Sequence, residues 1–174
     1  MIEEAFFQVL RKRRSIRSFE SKQIEEFTIS TIIESCDLAP SAGGLQSFEI
    51  YEVKGNDKKN LLTKAALDQM FISEAPVVLV FCANASRSVR KYGQRSILYS
   101  LQDATIAAVY AQLAAQALGL ASAWVGAFDE SKVSKGLRLP DDHKPVAIIP
   151  IGYPDEKPFK KITRGSGNLL HVVA

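Results

Sequence analysis

The chain has 174 residues, of which 47% are hydrophobic and 24% charged, and its formal net charge is +3. That length suits one domain with a sizeable core, and the composition lies far from the disordered regime. So small a charge excess excludes any argument from net charge for nucleic acid or anionic lipid as a partner. Five basic residues, Arg11, Lys12, Arg13, Arg14 and Arg17, do fall within seven positions, but no aromatic stacking platform or nucleic-acid motif stands beside them.

In chain order, Ile2, Phe6, Val9, Leu10 and Arg13 follow helical spacing and predict an amphipathic helix ending near Arg14. Ile29, Ile32, Ile33 and Cys36 form a second helical stripe, which Pro40 stops; Ser41-Ala42-Gly43-Gly44 then reads as a loop. Phe48 to Val53 is a β-rich run, and Asp57 is placed to cap a helix reaching about Leu67. Val77 to Cys82 is continuously apolar and suits a central strand. A polar connector from Asn84 to Ser96 leads to a long uncharged helix with Gly119 as its stop signal. Ala121 to Val125 reads as a short strand, Asp129 as the N-cap of a helix to Leu137, and Val146 to Ile151 as a further buried strand ended by Gly152-Tyr153-Pro154. Helices first, then strands alternating with helices, make a single α+β or α/β domain over residues 1–174.

The stretch from Ala104 to Phe128 holds 25 residues without a charge, long enough for a bilayer. It is built on Ala, carries Gln112, Gln116 and Ser122, is broken at Gly119, and is flanked by Asp103 and Asp129 where basic anchors belong. The expectation is therefore no membrane span, but a helix buried on all sides, with a partner subunit covering one face. Ala111 and Ala115 are the candidates for that partner face. Cys36 and Cys82, in apolar surroundings, read as reduced buried thiols of a cytoplasmic protein. Neither they nor His143 and His171 have metal-ligand spacing, so no metal is expected. The acidic opening Met1-Ile2-Glu3-Glu4 does not read as a secretory leader.

Carboxylate pairs beside a nucleophile, a dinucleotide glycine fingerprint and a Walker loop are all missing from the sequence. Chains of this kind borrow a cofactor for their chemistry. The run Arg13-Arg14-Ser15-Ile16-Arg17-Ser18-Phe19 places guanidinium donors and a hydroxyl where a helix gives way to a loop, and arginine forks match phosphate oxygens bidentately. Some twenty residues on comes Ala39-Pro40-Ser41-Ala42-Gly43. Trp124-Val125-Gly126-Ala127-Phe128-Asp129 follows the Ala-rich helix, and Val146 to Pro154 closes the series. Together, in this order, these segments resemble the FMN-dependent nitroreductase family over about Phe6 to Arg164, as a short member without long insertions.

The resemblance implies an α+β nitroreductase-like three-layer fold, with a central mixed β-sheet flanked by helices, in an intertwined homodimer. It implies FMN held through Arg13 and Ser15 at the phosphate and ribityl chain, with Arg14 a basic position on that side and Arg17 at the pyrimidine edge. There a fixed positive charge would stabilise the reduced, anionic flavin. Gly126 matches the residue whose N–H meets the flavin N5, with Val125 and Ala127 lining the same face. Lys161 and Arg164 match residues that close the phosphate site, and Gln69 a polar contact to the carbonyl edge. Pro40, Ser41, Ala42 and Gly44 match a loop that relatives donate from the other subunit. Many relatives continue this loop as Gly-Asn-x-Gln-Pro. Here it reads Gly43-Gly44-Leu45-Gln46-Ser47, which implies a looser loop. The implied activity is ping-pong: NADH or NADPH reduces the flavin, which then reduces a small acceptor such as a nitro compound or quinone. Two alternatives stay open: a flavin-dependent dehydrogenase or flavin-modifying enzyme of the same fold, and a non-catalytic flavin-binding protein.

Overall fold

Four strands carry the molecule: β1 (Phe48–Val53), β2 (Val77–Asn84), β3 (Ala121–Ser122) and β4 (His143–Gly152), ordered β1-β2-β4-β3. The computed structural model describes residues 2–173, with side chains from residue 4 onward. Met1 and Ala174, the ends of the expected domain, and the side chain of Ile2, the first position of the predicted apolar stripe, lie outside the described residues. All three strand pairings are antiparallel. The parallel component of the expected mixed sheet is a single bridge, Ser15 to Ser122, by which the segment after the first helix lies along β3.

β2 is buried at every position because helices cover both of its faces. Val77, Leu79 and Phe81 face one layer, formed by α2 (Glu26–Asp37) and α6 (Ser96–Ala117), with Ile29, Ile32, Cys36, Ala107, Ala108, Ala111 and Ala115 in contact. Val78, Val80 and Cys82 face the other, formed by α3 (Asn56–Ala65), α4 (Phe71–Glu74) and α7 (Glu130–Leu137), with Leu62, Ala65, Ala66, Ile72 and Val133. The alternation of side chains along one strand thus feeds two cores. This is the expected three-layer arrangement. The remaining helices are α1 (Ile2–Lys12) and the four-residue α5 (Val89–Tyr92) within the polar connector.

Several boundaries follow the local signals. Gly119 stands at φ +78°, and the Leu120 N–H reaches back to the Ala115 carbonyl at 2.8 Å, closing α6. Asp129 caps α7 by accepting from the Lys132 N–H at 3.0 Å. Asp57, by contrast, does not cap α3: Gly55 holds that position with no side-chain bond, and Asp57 lies inside the first turn. α6 begins at Ser96, where the polar connector was expected to end, but it takes in Asp103 and so is not the uncharged helix expected. Within one chain α6 is covered on one side only. Its alanine face packs on the sheet, whereas Ile97, Leu98, Leu101 and Val109 are exposed. Ala111 and Ala115 are fully buried within their own chain, so neither faces a partner. Small alanines allow the helix axis to approach the sheet, which is why they mark the inner face. Among the described residues no helix is long and apolar enough to cross a membrane.

Candidate functional site

The arginine run leaves α1 and joins the sheet as a partial fifth strand. The Ile16 N–H donates to the Ser122 carbonyl at 3.1 Å, Phe19 bridges Pro154, and the Glu20 N–H reaches the Tyr153 carbonyl at 2.9 Å. Ile16 and Phe19 are buried and anchor the run, leaving the polar residues between them to face outward. Phe19 lies so close over β4 that a side chain at Gly152 would meet it and the Pro76 ring.

Three segments meet at this end of the sheet. Arg17 places its guanidinium 5.9 Å from the centre of the Phe71 ring, and Gln69, two residues before Phe71, turns its Nε2 back to the Ala66 carbonyl at 2.9 Å. The backbone there passes through two left-handed residues, Leu67 and Asp68. The third segment, Val125 to Asp129, pairs with β4 through the Val125–Ile148 bridge and is tied to α3 by the Asp129 N–H to the Ala65 carbonyl at 2.9 Å. Gly126 and Ala127 are exposed between those ties, with their backbone available. A side chain at Gly126 would press on the Trp124 indole at 3.1 Å.

The charges around Arg13 are unbalanced. Arg13 is half-buried, and burial followed by the charge of Arg14 pushes its guanidinium pKa down. Among the described residues no carboxylate pairs with Arg13. Arg14 instead donates to the carbonyls of Arg11 and Arg13, holding the end of α1. It lines a cavity of about 480 Å³ with Ile16, Gln116, Gly119, Phe159 and Lys160. The tail runs past the arginines, with Glu156 accepting from the Arg17 N–H and the Asp155 N–H reaching the Ser18 carbonyl at 2.9 Å. Lys161 and Arg164 lie exposed beyond it.

The Pro40–Gly44 loop is elsewhere, against the first half of α6, with Tyr99, Leu101, Asp103 and Ile106. Gly43 and Gly44 adopt φ +60° and +70°, a backbone that favours glycine. A side chain at Gly43 would meet the ends of Lys91 and Tyr92. The Ser41 hydroxyl accepts from the Gln46 N–H at 3.0 Å. Asp103, buried to 2%, accepts from Ala42 N–H at 2.9 Å and Ser47 N–H at 3.0 Å. The loop expected to be loose is thus tied at both ends, and the serine that stands where relatives carry proline supplies one of the ties. Asp103, Glu156 and Phe71 were not identified from sequence. For Asp103 the signal was present, as it is the only charged residue of α6. Among the described residues no cluster of His, Cys, Asp or Glu could hold a metal. His143 instead hydrogen-bonds Tyr51 and Asn84 at the far edge of the sheet.

Sheet, helical layers and this glycine-and-arginine end define a flavoenzyme-like α+β fold. The Nitroreductase family profile matches residues 10–74 and 63–153, and the chain belongs to that family. It is 30% identical over 166 residues to an FMN reductase [NAD(P)H] of Bacillus subtilis, covering 87% of this chain and 67% of that protein. It is 27% identical over 176 residues to a 5,6-dimethylbenzimidazole synthase of Rhodospirillum rubrum, covering 87% and 83%. The solved NADPH:FMN oxidoreductase of Vibrio harveyi, complexed with NAD+, superposes with a TM-score of 0.89 at 26% identity, over 97% of this chain and 76% of that one.

Proposed function

We propose that the chain, as one domain over residues 1–174, works in the cytoplasm as a homodimeric FMN-dependent NAD(P)H oxidoreductase, each flavin bound between two subunits. The observation that carries this reading is the half-buried Arg13, which has no acidic partner among the described residues, in the same run as Arg17, whose guanidinium stands near Phe71, two residues from Gln69. A half-buried cation lacking a counter-ion calls for an anionic ligand, and a terminal phosphate fits a guanidinium fork. When bound, FMN supplies hydride acceptance from NADH or NADPH and donation to a small oxidised acceptor of nitro or quinone type, in two half-reactions at one face.

The residues provide position and charge. Arg13 and Ser15 hold the phosphate and ribityl chain, Arg17 sets a positive charge at the pyrimidine edge, Gly126 offers its N–H between Val125 and Ala127, and Gln69 offers its remaining amide hydrogen. Pro40, Ser41, Ala42 and Gly44 complete the site from the partner. Distance within one chain favours a shared site. The arginine run lies beside Gln116 and Ser122, the loop beside Asp103. Thirteen residues of helix separate Asp103 from Gln116, about 20 Å at 1.5 Å per residue. One chain leaves its two half-sites in opposite halves of α6, whereas two antiparallel copies of α6 would set each loop against the other's arginines. Lys161 and Arg164, on an exposed tail, close the phosphate site in that same assembly.

The test is the cofactor itself. Purified protein should be yellow and release FMN on heating, identified by mass. Arg13→Ala should weaken FMN binding to the apoprotein by about 1.5–3 kcal/mol, the range for a lost charge-assisted hydrogen bond. Release of FAD, or a colourless protein that ignores added FMN, contradicts the reading. Bleaching of the bound flavin by NADH or NADPH separates an enzyme from a flavin-binding protein without turnover.

A further inference from the structure

We propose that Asp103 is a positioning residue for the cofactor site, whose carboxylate shapes the Pro40–Gly44 loop that its own chain presents to the partner's flavin; this rests on the shared-site reading above. A carboxylate buried to 2% in a helix otherwise free of charge is costly unless its oxygens are fully used. No cation pairs with it among the described residues. Its two oxygens go instead to two backbone donors, Ala42 N–H at 2.9 Å and Ser47 N–H at 3.0 Å, one within the loop and one just after it, which bracket residues 43–46. Between these anchors the backbone makes three left-handed steps, Gly43 at φ +60°, Gly44 at +70° and Gln46 at +46°. Left-handed φ is unfavourable for a glutamine, and such a conformation persists only where the surroundings impose it. Ser41 and Asp37 hold Gln46 itself, through its N–H and its side-chain amide, and Asp103 is the buried group that holds the backbone on both sides of it.

The departure from the family pattern supports this reading. A proline at position 47 would have no N–H for Asp103, and it would press residue 46 toward an extended backbone. Ser47 both frees Gln46 for its left-handed turn and provides the second donor. Its own hydroxyl is buried without a partner, so the hydrogen bond that serves the loop is the backbone one. The loop itself stays outward, with Pro40, Gly43 and Gly44 exposed, as a segment offered to another chain must be.

The experiment titrates apoprotein with FMN and follows flavin fluorescence. Asp103→Asn keeps the shape but turns one acceptor into a donor facing an N–H. Its folded dimer should bind FMN about ten- to a hundredfold more weakly, the factor for one charge-assisted bond. A purely structural role is separated by a mixed dimer of one Arg13→Ala chain and one Asp103→Asn chain, purified through two tags. If Asp103 acts through the partner's site, both defects fall in one site, and the other binds FMN with wild-type affinity at half the wild-type stoichiometry. The mixed dimer also decides the matter should Asp103→Asn homodimers fail to fold. Wild-type affinity in a folded Asp103→Asn dimer, or a mixed dimer without any wild-type site, overturns the proposal. A wild-type apoprotein that does not bind FMN at all overturns the functional reading and this inference with it.

Discussion

Cys36 and Cys82 are both fully buried, one under α6 and one under the opposite layer. Burial pushes each thiol from 9.0 up to about 12, with Glu49 adding to the effect at Cys82. The unfolded chain therefore loses two protons near pH 9 that the folded chain keeps. Their contribution to stability is whole below pH 9 and is lost as pH rises toward 12, by roughly 1 kcal/mol per pH unit for each thiol. Urea denaturation at pH 8 and pH 10.5 should show that decline. A Cys36→Ala, Cys82→Ala double variant should show a shallower one, and identical slopes would contradict the assignment. Both thiols should also resist aromatic disulfide reagents until the protein unfolds.

The arginine run owes its position to an element no longer than a few bridges. Phe19 holds its far end to β4, where a Cβ on Gly152 would lie 2.8 Å from the Phe19 ring and 2.8 Å from the Pro76 ring. Neither ring can swing away as a flexible chain end would. Gly152→Ala should therefore overpack the contact and destabilise the protein by about 1–3 kcal/mol, read from urea midpoints. Because the same contact fixes Arg17 and its neighbours, FMN affinity should fall in parallel. An unchanged midpoint would show that the run follows Ile16 alone.

Ile97, Leu101 and Val109 stand four and eight residues apart on one side of α6 and are 71%, 47% and 41% exposed, so one chain leaves apolar side chains uncovered there. A second copy of α6 would cover them and close the cofactor site. Val109→Glu should yield a folded monomer that has lost FMN, by light scattering and absorbance. A charge at Ala111 or Ala115 should instead unfold the chain, since both lie in its own core. The wild-type melting temperature should rise with protein concentration. A Val109→Glu dimer with full flavin would remove this face from the interface.

Strands and helices were legible in the sequence wherever a local signal sufficed. The Phe48–Val53 strand, Gly119 closing α6 and Asp129 capping α7 each depend on a period or a backbone conformation written within a few residues. The arginine run could be singled out as a candidate site for the same reason, since its residues are contiguous. Only the tertiary structure decided which face of α6 meets the core, because its one charged residue, Asp103, is itself buried, the other polar residues mark no clear outer side, and alanine suits either environment. Only the fold could show that Asp103 binds a loop some sixty residues away in sequence: a buried carboxylate satisfied by backbone N–H groups has no partner side chain for a pattern to reveal.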